Sequence, residues 1–251
     1  MDRVKTGIHG LDEMLGGGFL QNTANLVEGA PGTGKTTFGM QFIFNGIQAN
    51  EPGLIITYEE FPKQYYHDAA AFGWDFHELE KQGLLKIVMT SPEASRLDIE
   101  RVDGMIESYV NEMGARRVVV DSISQFARLT QDPVELRGLE FAFINALKRQ
   151  GLTSVLTRES PVLLGEAVED SQISFVVDSY IVLRYVEIES AIRKALLVLK
   201  MRGSDHAKDI RQYEIEENGL EVQTKFEGRE GILSGTPRQM ADSFVKAFVK
   251  R

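Results

Sequence analysis

The stretch LVEGAPGTGKTTFGMQFIFNG, residues 26–46, decides the fold. It is typical of a strand that leads through a glycine-rich loop into a helix, in which Phe38, Phe42 and Ile47 keep helical spacing. Residues 29–36 match the phosphate-loop pattern G-x-x-x-x-G-K-[ST], whose glycines let the backbone curl and point its N–H groups at phosphate oxygens. We therefore expect this loop to hold a nucleoside triphosphate.

The loop also predicts which residues bind the nucleotide and its metal. The helix that begins near Lys35 adds the positive end of its dipole. Lys35 can reach the β- and γ-phosphates, and the Thr36 hydroxyl can ligate Mg²⁺. The predicted binding residues of this segment are Gly29, Ala30, Pro31, Gly32, Thr33, Gly34, Lys35, Thr36 and Thr37. The expected ligands are ATP and Mg²⁺.

Short apolar runs alternate with helical patterns along the rest of the chain. The predicted strands are 23–29, 53–60, 84–90, 116–123 and 152–159, followed by an antiparallel hairpin of 175–188 and 193–203. The predicted helices are 35–50, 65–83 in two pieces broken at Gly73, 98–114 and 134–151. This alternation predicts an α/β fold with a mostly parallel central sheet, helices on both faces and antiparallel strands at one edge. We expect one domain over residues 1–236 and a short helical tail over 237–251.

Acidic residues follow two of the predicted strands. Asp121 ends the apolar run RRVVVD, so we expect it at the carboxyl edge of the sheet, where it can hold the Mg²⁺ shell. Glu59 and Glu60 end the run IITYEE at the same edge. Hydrolysis needs a group that orients or deprotonates water. Either glutamate could face the γ-phosphate, with a slight preference for Glu59.

Composition excludes several classes of function. The chain has 251 residues, no cysteine and a formal net charge of −9. The lack of cysteine excludes disulfides, thiolate catalysis and cysteine-ligated metal sites. No apolar run approaches the roughly 18 residues of a membrane span, and the first ten residues lack the apolar core of a secretory signal. We expect a cytoplasmic protein, and the lack of a basic run argues against nucleic acid as a partner.

These motifs, in this order, resemble the RecA-like P-loop ATPases and, within them, the KaiC family. The resemblance covers most of the chain. It rests on VKTGIHGLDEMLGGGF (4–19), the phosphate loop, YEEFPKQYYHDAAAFGWD (58–75), the hairpin ending in KMRGSDH (200–206), and ILSGTPR (232–238). The clock proteins of this family carry two such domains in tandem, whereas this chain carries one.

The resemblance implies a role for KMRGSDH. In the family, this lysine and arginine cross a subunit boundary to the γ-phosphate of the neighbour's ATP, and here they are Lys200 and Arg202. A cation near the transferring phosphoryl group stabilises its developing charge. The resemblance therefore implies a homo-oligomeric ring, by analogy a hexamer, with Ser204 and His206 close to the nucleotide. A regulatory protein partner is also implied.

One family feature is only half present. In the clock proteins, an adjacent serine and threonine are autophosphorylated. Ser174 occupies the serine position, but Phe175 replaces the threonine. Two-site phosphorylation is therefore excluded here, and Ser174 stays a candidate site for single transfer.

Four functions remain open. The first is slow ATP hydrolysis in a ring whose nucleotide state regulates a partner. The second is a DNA-moving recombinase, which the acidic segment 159–172, without lysine or arginine, argues against. The third is an autokinase acting on Ser174. The fourth is a scaffold in which ATP only holds the subunits together.

Overall fold

The computed structural model describes residues 2–101, 104–160 and 172–226, and two short strands at 229–230 and 238–239. Its strands are β1 Arg3–Val4, β2 Phe19–Leu20, β3 Ala24–Gly29, β4 Gly53–Thr57, β5 Leu85–Met89, β6 Arg117–Asp121, β7 Thr153–Glu159, β8 Ser179–Ile188, β9 Ala191–Met201, β10 Arg211–Glu216, β11 Gly219–Lys225, β12 Arg229–Glu230 and β13 Arg238–Gln239. Its α-helices are α1 Leu11–Met14, α2 Lys35–Gln48, α3 Pro62–Ala70, α4 Phe76–Lys81, α5 Pro92–Ile99, α6 Met105–Met113 and α7 Pro133–Arg149. Two 3-10 helices span Ile123–Arg128 and Gln172–Phe175.

Nine strands form one sheet in the order β11-β10-β9-β8-β3-β7-β6-β4-β5. The strands from β8 to β5 in this order are parallel, and β9, β10 and β11 continue the sheet in antiparallel pairs. The predicted α/β fold, with a mostly parallel sheet and antiparallel strands towards the C-terminus, is confirmed. Strands β10 and β11 were not predicted, although the alternation of apolar and polar residues along them is typical of strands.

Both faces of the sheet are buried. Along β3, Val27 packs in the apolar cluster that contains α2, α3 and α4, whereas Leu26 packs in the cluster that contains α6 and α7. Val119 and Val120 of β6 divide between the two clusters in the same way. Since successive strand residues point to opposite faces, continuous apolar runs are required in strands that are covered on both sides.

The helix predicted over 98–114 is wrong, because the structure has α5 and α6 in its place. The carboxylate of Asp98 accepts hydrogen bonds from the backbone N–H groups of Met105 and Ile106, at 2.5 and 3.1 Å. A side chain within α5 therefore satisfies the free donors at the start of α6. Gly104 allows the close approach, since a Cβ atom there would lie 2.6 Å from the Asp98 carbonyl oxygen.

The other predicted elements are found within a few residues of their expected ends. The break at Gly73 is real: α3 ends at Ala70, α4 begins at Phe76, and Gly73 has a φ of +72°. The predicted tail over 237–251 lies outside the described residues apart from β13, so this tail and the domain boundary at 236 stay predictions. Among the residues described, the helices are all too short or too polar to cross a bilayer.

Candidate nucleotide site

The phosphate loop joins β3 to α2 at the carboxyl edge of the sheet. Gly32 and Gly34 have φ values of +78° and +93°, which L-residues with a side chain rarely adopt. A Cβ atom on Gly29 would lie 2.5 Å from Thr33 Oγ1, whose hydroxyl donates to the Ala30 carbonyl at 2.7 Å. The loop is thus curled and held by its own side chain, as phosphate binding requires.

Lys35 is the first residue of α2, and its side chain is buried in the loop. Its ammonium group donates to the Ala30 carbonyl oxygen at 3.1 Å. Burial lowers the pKa of Lys35, while the nearby carboxylates of Glu159 and Asp121 act in the opposite direction. The cation therefore lies within the loop that is predicted to hold phosphates.

Thr36 and Asp121 meet at the mouth of the loop. The Thr36 hydroxyl donates to Asp121 Oδ2 at 2.8 Å. Tyr65 donates to the same oxygen at 2.8 Å, and Thr157 donates to Oδ1 at 2.5 Å. Mg²⁺ is held in nucleotide sites by one or two protein oxygens, together with phosphate oxygens and water. A hydroxyl and a carboxylate at this distance, beside the phosphate loop, fit that requirement.

Glu59 and Glu60 stand on the rim of the same pocket. Strand β4 ends at Thr57, earlier than predicted, and the Thr57 hydroxyl bonds to the backbone carbonyl of Glu60 at 3.1 Å. Both glutamate side chains are exposed. They are nevertheless partly desolvated at the pocket rim, and this desolvation, followed by the charges of Glu159 and Asp121, raises the pKa of Glu59. The same partial desolvation, followed by the charge of Asp121, raises the pKa of Glu60.

One pocket brings the two groups of predicted residues together. Its lining residues are Pro31, Gly32, Lys35, Thr36, Thr57, Glu59, Glu60, Tyr65, Asp121, Ser122 and Glu159. The sequence analysis missed Tyr65, Thr157 and Glu159 as members of the site. Glu159 ends β7 beside β6, so the strand-end rule that selected Asp121 could also have selected it. Tyr65 reaches Asp121 only because α3 packs back on the sheet, and no sequence pattern indicates this.

Gln125 is a further residue that the sequence analysis missed. It lies in the 3-10 helix that follows β6, and its amide nitrogen donates to Glu59 Oε1 at 2.6 Å. Its amide oxygen accepts from Arg128 at 3.4 Å. The element that follows Asp121 therefore also orients Glu59.

Lys200 and Arg202 lie at the opposite edge of the sheet from their own phosphate loop. Lys200 pairs with Tyr180 of β8, which pairs with Leu26 of β3, three residues before Gly29. This places Lys200 and Gly29 roughly 10 Å apart along the strands and two strand spacings, roughly another 10 Å, across the sheet. Lys200 donates to the carbonyls of Ser174 and Val177 at 2.5 and 2.8 Å.

Arg202 follows β9 and, like Lys200, binds a backbone carbonyl of the second 3-10 helix. It donates to the carbonyl of Phe175 at 2.6 Å. Ser174, in the second 3-10 helix, is half-buried and belongs to the segment that the two cations hold. Burial, followed by the charge of Arg202, lowers the pKa of Lys200. Both predicted cations and Ser174 thus form one group on the flank of the sheet opposite the phosphate loop.

Ser204 and His206 lie away from the pocket of their own chain. The Ser204 hydroxyl accepts from Arg3 at 2.5 Å and donates to the Asp205 carbonyl at 2.9 Å. The Nδ1 atom of His206 is buried and, within the described part of the chain, lacks a hydrogen-bond partner. The turn that carries them packs on α1, where Ala207 donates to the Met14 carbonyl at 2.8 Å.

Known proteins resemble this chain over nearly its whole length. A family model described as "ATPase: KaiC" matches residues 4–227. The circadian clock protein KaiC3 of Synechocystis sp. is 37% identical over 245 residues, which cover 97% of this chain and 48% of the relative. The circadian clock oscillator protein KaiC of Thermostichus vulcanus is 37% identical over 240 residues, covering 95% of this chain and 46% of the relative. That of Synechococcus elongatus is 36% identical over 239 residues, covering 95% and 46%. The chain spans about half the length of these curated relatives, and it belongs to the KaiC family of ATPases, with the RecA-like fold that the resemblance implied.

Proposed function

We propose that this chain binds ATP·Mg²⁺ between the subunits of a homo-oligomeric ring and hydrolyses it slowly. By analogy with the family, the ring is a hexamer and its nucleotide state regulates a protein partner in the cytoplasm. One observation carries the proposal: Lys35, the Thr36–Asp121 pair and the two glutamates line a single pocket at the carboxyl edge of the sheet.

Each residue of the pocket has a task in this proposal. The backbone of residues 29–37 binds the phosphates, and Lys35 leaves the Ala30 carbonyl for the β- and γ-phosphates. Thr36 and Asp121 would hold the Mg²⁺ shell, and the metal would supply charge neutralisation at the phosphates. Glu59 or Glu60 orients the water and takes its proton, which only an ionised carboxylate can do.

The position of the two cations supports action between chains. Lys200 and Arg202 are separated from their own Gly29 by the width of two strands and most of the length of β3. A lysine side chain cannot cover that distance. The same residues on a neighbouring chain can reach the pocket from outside, and Ser204 and His206 on that chain then lie near the nucleotide.

Autophosphorylation of Ser174 is a second candidate. It is favoured because Lys200 and Arg202 both bind the segment that carries Ser174, so cations that reach a neighbour's γ-phosphate bring Ser174 towards it. A single phosphate on Ser174 after incubation with ATP·Mg²⁺, lost in Ser174→Ala, would support this activity.

The mass of the protein and its phosphate release, measured on the same samples, test the proposal. We expect ATP·Mg²⁺ to convert small species into a ring and phosphate to be released slowly from that ring. A ring without phosphate release would favour the scaffold, and release from a stable monomer would contradict action between chains. Unchanged mass and activity on addition of DNA would argue against a recombinase.

A further inference from the structure

Two phenylalanine side chains lie on the surface at the two places that the proposed function brings together. The side chain of Phe61 is 69% exposed and that of Phe175 is 55% exposed. Exposed aromatic side chains of this size are common anchors in protein interfaces. Phe61 lies beside the nucleotide pocket and Phe175 lies beside the two cations, so the surface that could bury each side chain follows from these positions.

Phe61 lies at the mouth of the pocket. It directly follows Glu60 and precedes the first residue of α3. A shallow groove beside it is lined by Glu59, Glu60, Phe61, Lys63, Gln64 and His67. This groove shares Glu59 and Glu60 with the nucleotide pocket, so the pocket opens directly onto it.

Phe175 lies against the cations on the other flank. Its carbonyl accepts from Arg202, and the guanidinium group of Arg137 lies 5.7 Å from the centre of its ring. Arg202 therefore holds the backbone of Phe175, and Arg137 lies by its ring, so a surface that receives Arg202 also lies next to Phe175.

The two surfaces carry mainly opposite charges. The pocket and the groove carry the four carboxylates of Glu59, Glu60, Asp121 and Glu159 against two lysines, Lys35 and Lys63. The flank around Phe175 carries Arg137, Lys200 and Arg202. Neither Lys200 nor Arg202 forms an ion pair with a carboxylate of residues 2–101, 104–160 or 172–226; both donate to backbone carbonyls. Complementary potentials of this kind fix the register of an interface and favour association.

We propose that Phe175 of one chain packs against Phe61 of the next chain, at the mouth of that chain's nucleotide pocket. The inference rests on the proposed action of Arg202 between chains. When Arg202 reaches the γ-phosphate beside Glu60, the Phe175 backbone that it holds arrives beside the residue that follows Glu60. The aromatic contact covers the groove, and the pocket is closed only when the neighbouring chain is present.

The absence of native cysteine allows a direct test by crosslinking. Phe61→Cys chains and Phe175→Cys chains are mixed, given ATP·Mg²⁺ and treated with a short bifunctional maleimide. We expect crosslinked dimers in the mixture, severalfold above either variant alone, because each single variant places its thiol on only one side of the contact. Phe61→Cys mixed with Ile192→Cys is the matched control. Ile192 is 56% exposed but lies beyond Gly29, on the same edge as Phe61.

The outcomes separate this contact from the proposed function. Rings that release phosphate but give no crosslink above the Ile192→Cys control would overturn the contact and leave the proposed function intact. A wild-type protein that forms no oligomer with ATP·Mg²⁺ would overturn both. As a second measure, Phe175→Asp should weaken assembly by placing a carboxylate against the acidic pocket edge, whereas Phe175→Leu should retain it. Equal assembly of these two variants would also contradict the contact.

Discussion

The ammonium group of Lys35 donates to the carbonyl oxygen of Ala30, five residues earlier in the same loop, at 3.1 Å. A neutral acceptor thus keeps the cation inside the loop, and a phosphate oxygen can replace this acceptor with little loss of free energy. Charged acceptors bind an ammonium group more strongly than a carbonyl does. This relationship leads to the first of five predictions.

Lys35→Ala should abolish tight ATP binding, because it removes the cation that meets the β- and γ-phosphates. Lys81→Ala is the matched control, since Lys81 is an exposed lysine at the end of α4. Binding is measured by calorimetry with ATP·Mg²⁺. An unchanged affinity in Lys35→Ala would mean that the phosphate-loop interpretation is wrong.

The double variant Glu59→Gln/Glu60→Gln should bind ATP and assemble but lose hydrolysis. An amide keeps the shape of the carboxyl group but cannot accept a proton from water. Phosphate release and mass are measured together, with Glu107→Gln of α6 as the control. Turnover at the wild-type rate in the double variant would place the base elsewhere.

The pH dependence of turnover should show which glutamate is the base. Besides desolvation, the charges of Glu159 and Asp121 raise the pKa of Glu59, whereas those of Asp121, Asp68 and Glu59, but not Glu159, raise the pKa of Glu60. A base with a raised pKa is protonated at higher pH than usual, so turnover should fall on acidification above the range of an ordinary glutamate. The Glu159→Gln variant removes one of these charges and should lower the pKa of Glu59. If Glu59 is the base, turnover of this variant should fall on acidification at a lower pH than turnover of the wild type. If Glu60 is the base, the fall should occur at the same pH in both.

Mixed rings should recover activity from two inactive variants. Chains with Glu59→Gln/Glu60→Gln keep their cations, and chains with Lys200→Ala/Arg202→Ala keep their base. Some interfaces in a mixture then have an intact base on one side and intact cations on the other. Loss of a cation that acts between chains costs about 10³-fold or more in rate, so partial recovery should be measurable.

The mixing experiment needs exchange of subunits, which removal and return of nucleotide can provide. Mass spectrometry of the mixture confirms that both chains share a ring. Mixed rings that show no recovery would assign the cations to their own chain or to a structural role.

Arg117 should contribute more to stability than any surface ion pair. Its side chain is 2% exposed, and it donates to Glu51 at 2.7 Å and to the carbonyls of Lys5 and Phe42, both at 2.9 Å. Arg117→Ala removes all three bonds and the packing of a buried side chain, and should lower the free energy of unfolding by about 3 kcal/mol. The loss for Arg96→Ala, whose exposed pair with Glu100 spans 3.8 Å, should be below about 1 kcal/mol. Urea denaturation at neutral pH compares the two, and similar losses would contradict the prediction.

The local parts of the site could be predicted from the sequence, and its long-range parts could not. The phosphate loop is contiguous, and Asp121 ends an apolar strand, so both follow from short patterns. The hydrogen bond from Tyr65 to Asp121 depends on how α3 packs on the sheet. The two helices in place of 98–114 depend on the Asp98 carboxylate, which caps a helix seven residues later. The position of Lys200 on the far edge depends on strand register, which no local pattern encodes.

The separation of Lys200 from its own Gly29 would give an assembly of these chains a polarity with a countable consequence. If each site needs the pocket of one chain and the flank of the next, an open row of n chains has n − 1 complete sites, because the pocket at one end and the flank at the other stay unmatched. Closure adds the last site and makes all of them equivalent. The rate per chain would therefore rise with the length of a row and reach its limit only on closure, so that dilution would silence the protein without any change in its fold.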